Sequence, residues 1–229
     1  MGRGPTDTGA AGAGPGRIRR ANEALLLDAA EAEFAEAGFA GASTAAIAAR
    51  AGLPKANLHY YFGTKEAIYR AVLDRILKLW LQAFDPGTAG DDPAEVLEAY
   101  IRAKVRHSRE HPLASRVFAG EMLRGAPVIR GFLSGELRPW VERQAAVMRR
   151  WIAEGRMDPV DPLHLLFLIW AATQTYADFD AQIRIVTGKR RQARADFEAA
   201  ADTIVQVVLK GCGLAPPVRP RIETAASSH

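Results

Sequence analysis

The chain has 229 residues and a formal net charge of +4, which favours an anionic partner only weakly. Its single cysteine, Cys212, excludes an intramolecular disulfide and a cysteine-built zinc site, and we expect an inert thiol in a reducing compartment. No stretch approaches the roughly 20 apolar residues that span a bilayer, and the first residues lack the apolar segment of a signal peptide, so we expect a cytoplasmic protein without a membrane partner.

The N-terminal region begins with a glycine-, alanine- and proline-rich stretch over residues 1–16, which we expect to be disordered because it has almost nothing to bury. A helix is predicted from Arg19 to Ala37, where apolar residues recur every three or four positions and Gly38 follows. Arg17 and Arg19 lie at its start. They could form a basic arm that reaches phosphates or a minor groove, or only a solvated helix start.

The next stretch, Ser43–Lys65, predicts two short helices joined by a glycine turn at Gly52. Ser43 or Thr44 can cap the first helix, and the second is predicted to start at Pro54, whose missing N–H costs nothing at a first helical position. Two apolar side chains four residues apart would pack the second helix on a core. Its outer face would then carry side chains that hydrogen-bond bases and phosphates: Lys55, Asn57, His59 and Tyr60.

This pattern resembles the N-terminal domain of TetR-family transcriptional repressors over roughly residues 17–66. It has the Ile-Ala pair, the glycine turn, the aromatic run and the Lys-Glu pair of that family, although Pro54 stands where many members carry a capping serine. The resemblance implies double-stranded operator DNA as a partner. The predicted DNA-contacting residues are Arg17, Arg19, Thr44, Lys55, Asn57, His59, Tyr60 and Lys65. The two lysines would neutralise phosphates. A helix-turn-helix that serves only for packing is the alternative.

The remainder of the chain is predicted to be helical. Thr64 would cap a helix that runs to about Phe84 and is apolar over more than one face, as a helix connecting two bodies must be. Further helices are predicted over residues 93–110, 113–123, 128–154, 162–186 and 192–210. Gly135 and Pro139 predict a kink or break in the third of these. Because no alternating strand pattern appears, the predicted fold class is all-α.

The predicted organisation has two domains. A three-helix DNA-binding domain occupies residues 17–65, a helical bundle for ligand binding and dimerisation occupies residues 66–212, and residues 213–229 form a loose tail. The helix from Pro162 is apolar nearly all round, and the final helix has an apolar face that includes Ile204. One chain has too few elements to cover both, so we expect a homodimer on a near-palindromic operator.

Five aromatic or polar side chains lie on otherwise apolar helix faces of the predicted bundle. These candidate ligand-binding residues are Trp80, Tyr100, Arg116, Trp170 and Gln174. A flat ring could stack on an indole while an amide and a guanidinium bind its carbonyl and N–H edges. The alternative is that the tryptophans are ordinary core residues.

Residues 73–188 resemble one branch of the TetR family, the pyrimidine-utilisation repressors. The shared motifs include Ile-Arg-x-Lys-Val at residues 101–105, Glu-Met-Leu at residues 121–123 and Ile-Trp-Ala at residues 169–171. The resemblance implies that the small-molecule effector is a pyrimidine such as uracil or thymine, and that the protein is a repressor released by it.

Catalytic and cofactor motifs are missing from the sequence, which contains no G-x-S-x-G around a serine, no H-E-x-x-H and no P-loop. His107 and His111 could share a metal, but Pro112 disfavours helical geometry at His111 and no third ligand follows at a recognisable spacing. We therefore predict no enzyme activity, metal or cofactor. The alternative is a helical-bundle enzyme or carrier with an accessory helix-turn-helix, which would not require sequence-specific DNA binding.

Overall fold

A computed structural model describes residues 15–81 and 91–216. In these two ranges the chain forms helices joined by short loops and contains no β-strand, so the prediction of an all-α fold is confirmed. The chain divides into two compact units, the first ending at Val72 and the second beginning at Leu73. No helix within the described residues is long and apolar enough to cross a membrane.

The first unit is a three-helix domain followed by the start of a fourth helix. Its elements are α1 (Pro15–Gly41), α2 (Thr44–Arg50), α3 (Lys55–Phe62) and the first residues of α4 (Lys65–Leu81). Its core consists of apolar side chains at helical spacing on all four: Leu26, Ala30, Phe34, Ile47, Ala48, Leu58, Ile68, Tyr69 and Val72. The helix start predicted at Arg19 is too late, since α1 begins at Pro15, and the rest of the stretch predicted to be disordered lies outside the described residues.

Local capping signals in the first unit largely match the predictions. The Ser43 side chain accepts from the Ala46 amide at 3.0 Å, so Ser43 is the cap and Thr44 is the first residue of α2. Gly52 has φ +66°, which suits glycine in the turn between α2 and α3. Pro54 precedes α3 without a side-chain cap. Thr64 Oγ1 accepts from the Ala67 amide at 3.1 Å and caps α4, as predicted.

The second unit contains the rest of α4 and a bundle of further helices. These are α5 (Pro93–Glu110), α6 (Pro112–Leu123), α7 (Arg130–Phe132), a π-helical turn (Leu133–Leu137), α8 (Arg138–Ala153), α9 (Pro162–Asp178), α10 (Asp180–Thr187) and α11 (Arg194–Gly211). Helices α5, α9 and α11 pack on one another, and α6 and α8 pack on α9. The core includes Leu97, Ile101, Met148, Trp151, Leu166, Ile169, Val205 and Leu209.

Helix boundaries in the second unit agree with one prediction and depart from another. The kink or break predicted near Gly135 and Pro139 corresponds to the π-helical turn Leu133–Leu137, which contains this glycine. The single helix predicted over residues 162–186 is wrong, since the backbone leaves helical geometry at Phe179. Gln192 donates from Nε2 to the Tyr176 carbonyl at 2.8 Å and so satisfies a carbonyl that the helix end leaves free. The predicted extension of α4 to Phe84 lies outside the described residues.

Two buried residues near the C-terminal end have consequences for the predictions. Cys212 is buried and its pKa is raised to about 11 by burial, which makes the thiol unreactive at neutral pH. Ile204, predicted to meet a second chain, is buried within its own unit instead. The outward apolar side chain of α11 is Val207, which is 61% exposed.

Candidate DNA-binding surface and effector cavity

Helix α3 presents the predicted recognition face to solvent. Lys55, His59 and Tyr60 are exposed and Asn57 is half-buried, while Leu58 on the opposite side is fully buried. The exposed fraction of Tyr60 is 73%, which is unusual for a large aromatic residue and leaves its hydroxyl and ring edge accessible. The helix therefore offers polar side chains of several chemistries to one partner surface.

The tautomer of His59 follows from its contact with the turn after α3. Its Nδ1 lies 2.9 Å from the carbonyl oxygen of Gly63. Because a carbonyl can only accept, Nδ1 carries the proton, and in the neutral ring Nε2 is left as an acceptor. An outward acceptor suits the exocyclic amino group of adenine or cytosine in the major groove.

Lys65 does not have the exposure expected of a phosphate contact. Its Nζ donates to the carbonyl oxygens of Phe39 at 2.9 Å and Ala42 at 3.0 Å, and it lies 4.7 Å from the centre of the Phe39 ring. The side chain is half-buried against its own unit. These contacts hold the ammonium at the end of α1, and the predicted phosphate contact of Lys65 stays a prediction.

The other predicted DNA contacts lie at the starts of helices. Arg17 and Arg19 are exposed on the first turns of α1, which corresponds to the solvated helix start and not to an arm preceding the helix. Thr44 is half-buried at the first position of α2. The predictions did not include Arg50, the last residue of α2, whose guanidinium bonds both carboxylate oxygens of Glu36 at 3.1 and 2.5 Å. This ion pair fastens α2 to α1.

The second unit contains a cavity of about 50 Å³ between α4, α5, α6, α8 and α9. Its walls are mainly aromatic and aliphatic, with one amide and one ammonium. The lining residues are Leu77, Trp80, Leu81, Tyr100, Lys104, Phe118, Leu137, Trp140, Trp170 and Gln174. Four of the five residues predicted to bind a ligand are thus brought together around one space.

Aromatic contacts fix the walls of this cavity. Trp170 donates its indole N–H to the Tyr100 hydroxyl at 2.6 Å, which joins α9 to α5. Burial raises the pKa of Tyr100 above its ordinary value, so the phenol stays neutral. Trp80 packs edge-on against Phe118 with ring centres 4.6 Å apart. The rings are held by neighbours and offer preformed surfaces to a flat ligand.

Lys104 is the main functional candidate that the sequence reasoning missed. It lies one helical turn after Tyr100 on α5, is only 5% exposed and places its ammonium 4.6 Å from the centre of the Trp80 ring. Burial lowers the pKa of Lys104 to about 8, and the charge of Asp178 opposes this only partly. Burial also raises the pKa of Asp178, although Ser115 donates to its carboxylate at 2.5 Å. The ammonium makes no hydrogen bond within the described residues.

Gln174 is the second polar group on the cavity wall. It lies four residues after Trp170 on the same side of α9, as predicted, and its amide makes no side-chain hydrogen bond in the described part of the chain. An amide offers both a donor and an acceptor. Together with Lys104, it supplies hydrogen-bonding capacity in an otherwise apolar space.

Arg116 is not part of the cavity, so its predicted ligand role is wrong. The side chain is exposed on α6, whereas Phe118 two residues later lines the cavity. Residues two apart on a helix lie about 200° apart around its axis, so both cannot face the same space. Burial raises the pKa of Asp178, and the charge of Arg116 opposes this rise only weakly from outside the cavity.

His107 and His111 do not form a metal site with their neighbours. Their ring centres are 6.0 Å apart, and the described residues contain no group of three or more potential metal ligands. Burial, followed by the charge of Lys104, lowers the pKa of His107 to about 4 and keeps the ring neutral. The pair is therefore a half-buried neutral histidine beside a second ring.

Family comparisons agree with the two units of the fold. Residues 26–72 match the family described as bacterial regulatory proteins of the tetR family, and residues 73–215 match the C-terminal region of YcdC-like proteins. The chain belongs to the TetR family of transcriptional regulators. This membership sets aside the alternative of a helical-bundle enzyme or carrier.

Individual relatives narrow the position of the chain within the family. It is 38% identical over 205 residues to the HTH-type transcriptional regulator RutR of Escherichia coli strain K12, which covers 90% of this chain and 94% of that protein. A transcriptional regulator from Streptomyces coelicolor has a TM-score of 0.66 at 26% identity, with 85% and 99% of the two chains covered. The structure of AibR with isovaleryl coenzyme A and operator DNA has a TM-score of 0.67 at 20% identity, covering 86% and 100%, and shares the fold.

Proposed function

We propose that this regulator is a homodimeric repressor that binds a near-palindromic operator and is released when a small pyrimidine, uracil or thymine, occupies the cavity of the second unit. The proposal is carried by one observation: Lys104 and Gln174, two polar groups without a side-chain hydrogen bond to any described residue, line an otherwise apolar cavity beside aromatic rings. A preformed apolar space with a few convergent polar groups is the usual form of a small-molecule site.

The size of the cavity favours a single small ring. One water needs about 10–15 Å³ of such a cavity, so about 50 Å³ has room for three to five waters, or roughly 100–150 Å³ of liquid. That volume suits a six-membered ring with two carbonyl groups. A long acyl chain or a coenzyme A thioester would need the walls to move apart.

The polar groups favour a ring with carbonyl edges. The Lys104 ammonium can only donate, and Gln174 can donate and accept, so a carbonyl next to a ring N–H is complementary to the pair. An amino group facing Lys104 would leave two donors opposed in a buried site, a cost of about 1–3 kcal/mol. Uracil and thymine should therefore bind more tightly than cytosine by roughly one to two powers of ten.

Helix α4 supports a route from the effector to the DNA-binding helices. It carries Trp80 on the cavity wall and Ile68 and Tyr69 in the core of the first unit, within one continuous helix. An effector that binds one tilt of α4 more tightly than another shifts the protein towards that tilt. The operator affinity can then change by no more than the ratio of the effector's affinities for the two tilts. A hundredfold release needs roughly 2.7 kcal/mol of coupling, which is within the usual allosteric range.

Outward apolar side chains support the dimer. Leu163, Phe167 and Leu168 on α9 are 40–55% exposed, and Val207 on α11 is 61% exposed. Apolar side chains grouped on two helices favour a self-complementary interface, which would place two α3 helices about 34 Å apart in successive major grooves.

Two measurements on the same protein test the proposal. DNA selected from a random library gives the operator, and its affinity is then measured with and without uracil, thymine and cytosine at fixed salt. Calorimetric titration of the same compounds into wild type and Gln174→Leu measures the cavity directly. Leucine keeps the volume of Gln174 but loses its hydrogen bonds, so uracil affinity should fall about 5- to 150-fold. Failure of all three compounds to bind wild type would refute the pyrimidine effector and leave the DNA-binding proposal intact.

A further inference from the structure

The contacts of Lys65 join the start of α4 to the corner between α1 and α2. Helical geometry in α1 is interrupted at Gly38, with φ +67° and ψ 173°, and the chain then turns through Ala42 into Ser43, the cap of α2. Lys65 Nζ donates to two carbonyls of this corner, those of Phe39 in the last turn of α1 and of Ala42 just beyond it. The ammonium therefore takes the place of amide donors that the end of α1 lacks.

A second side chain of α4 contacts the same corner. Tyr69 lies four residues after Lys65, one helical turn along, and is buried with its ring centre 4.8 Å from that of Phe39 and 4.7 Å from that of Phe34. Lys65 also lies over the Phe39 ring at 4.7 Å. Two side chains on one face of α4 thus hold the end of α1, one by hydrogen bonds and one by packing.

The corner determines where α2 begins. Ala42 is buried and immediately precedes Ser43, whose side chain caps α2, and α2 in turn packs against α3. Hydrogen bonds of about 3 Å lengthen by only a few tenths of an ångström before they weaken, so a displacement of the start of α4 must move the corner with it or break the bonds. Lys65 is therefore placed to act on the DNA-reading helices through backbone that it holds and not through DNA.

We propose that Lys65 is a positioning residue that couples the displacement of α4 to the α1–α2 corner, and that it does not neutralise a phosphate. This inference rests on the proposed function, because it assigns Lys65 to the transmission step of effector-induced release. It predicts that Lys65 contributes to the effector response far more than to the electrostatic part of DNA affinity.

The test compares Lys65→Met with Lys55→Met, a matched loss of one ammonium on the exposed face of α3. Operator affinity is measured from about 50 to 200 mM salt, and then with saturating uracil at fixed salt. A phosphate-contacting lysine contributes about 0.9 to the slope of log K against log salt concentration. Because a dimer brings two copies of the residue to one operator, Lys55→Met should lower the slope by about 1.8 and keep the wild-type effector response. Lys65→Met should leave the slope within about 0.3 of wild type and reduce the effector-induced loss of operator affinity at least threefold.

The outcomes separate this inference from the proposed function. A slope lowered by about 1.8 in the Lys65→Met dimer would overturn it in favour of a phosphate contact. A wild-type effector response with lowered thermal stability would reduce Lys65 to a purely structural residue. Should Lys65→Met fail to fold by circular dichroism, Lys65→Gln, which keeps a donor but lacks the charge and the reach, is judged by the same two criteria. A wild type that binds the operator but ignores uracil and thymine refutes the proposed effector. The slope comparison then still decides whether Lys65 contacts phosphate.

Discussion

Replacing Lys104 by methionine should stabilise the effector-free protein while it weakens effector binding. Lys104 is 5% exposed, and burial lowers its pKa from the ordinary 10.5 to about 8. At 1.36 kcal/mol per pKa unit, holding the charge in the folded state at neutral pH costs roughly 3 kcal/mol. The contact with the Trp80 ring at 4.6 Å offsets about 0.5–2 kcal/mol of this cost. A net gain of roughly 1–3 kcal/mol should follow when methionine, of similar length and without charge, replaces the lysine.

The effect of Lys104→Met on the free energy of unfolding should depend on pH, which an effect of packing alone would not. The folded-state pKa of Lys104 lies below its unfolded value, so the cost is fully present below about pH 8, where both states carry the proton. Between pH 8 and about 10.5 the unfolded chain binds more protons than the folded one, and wild-type stability rises relative to the variant. The advantage of Lys104→Met should therefore be largest at pH 7 and shrink as the pH rises towards 10.

The assay is chemical unfolding at pH 7 and pH 9.5, at one protein concentration because dimerisation contributes to the apparent stability. In a separate thermal melt at pH 7, the melting temperature should rise by about 2–12 °C, since a chain of this length gains about 2–4 °C per kcal/mol. Exposed Lys78 on α4 provides the control. Lys78→Met should change the free energy of unfolding by less than about 0.5 kcal/mol at either pH.

Effector binding supplies the second half of the test. A charge-assisted hydrogen bond contributes about 1.5–3 kcal/mol, so Lys104→Met should weaken uracil binding by about one to two powers of ten. A variant less stable than wild type at pH 7 would refute the reasoning, because it would mean that Asp178 or ordered water fully compensates the buried charge. An equal gain at pH 7 and pH 9.5 would refute it as well, since the effect would then come from packing.

Two further predictions concern the DNA-binding face and the dimer. On α3, His59→Phe should relax base preference at a cost of about 1–3 kcal/mol, because the ring loses its outward acceptor. The salt slope should stay unchanged, because no phosphate contact is lost. Selection of bound DNA from a random library checks the base preference. On α11, Val207→Asp should give folded monomers in light scattering and weak operator binding in fluorescence anisotropy, because Val207 points outward. Ile204→Asp should instead unfold the chain, because Ile204 is buried within its own unit. A dimeric Val207→Asp variant at micromolar concentration would contradict the proposed interface.

The sequence alone determined the features that depend on neighbours along the chain. The glycine turn at Gly52 and the caps at Ser43 and Thr64 were predictable, since a cap accepts hydrogen bonds from amides two or three residues away. The pairing of Trp170 with Gln174 on one side of α9 follows from helical spacing in the same way. The all-α fold class and the family resemblance rest on such local patterns.

Tertiary structure decided which of the polar side chains face the cavity and which face solvent. Spacing gives the angle between two residues around one helix, but it does not say which angle meets the neighbouring helices. For this reason Arg116 was assigned to the cavity and Lys104 was overlooked, although both lie in segments that resemble the same repressor branch.

The role of Lys65 was beyond the sequence for a related reason. Its partners are the carbonyls of Phe39 and Ala42, more than 20 residues earlier in the chain, and these lie in the last turn of α1 and just beyond it, where intrahelical amide donors are lacking. The low pKa of Lys104 has a similar origin, since desolvation is the combined effect of every element packed around the ammonium. Both properties arise from the folded surroundings of a side chain, which no local pattern of residues contains.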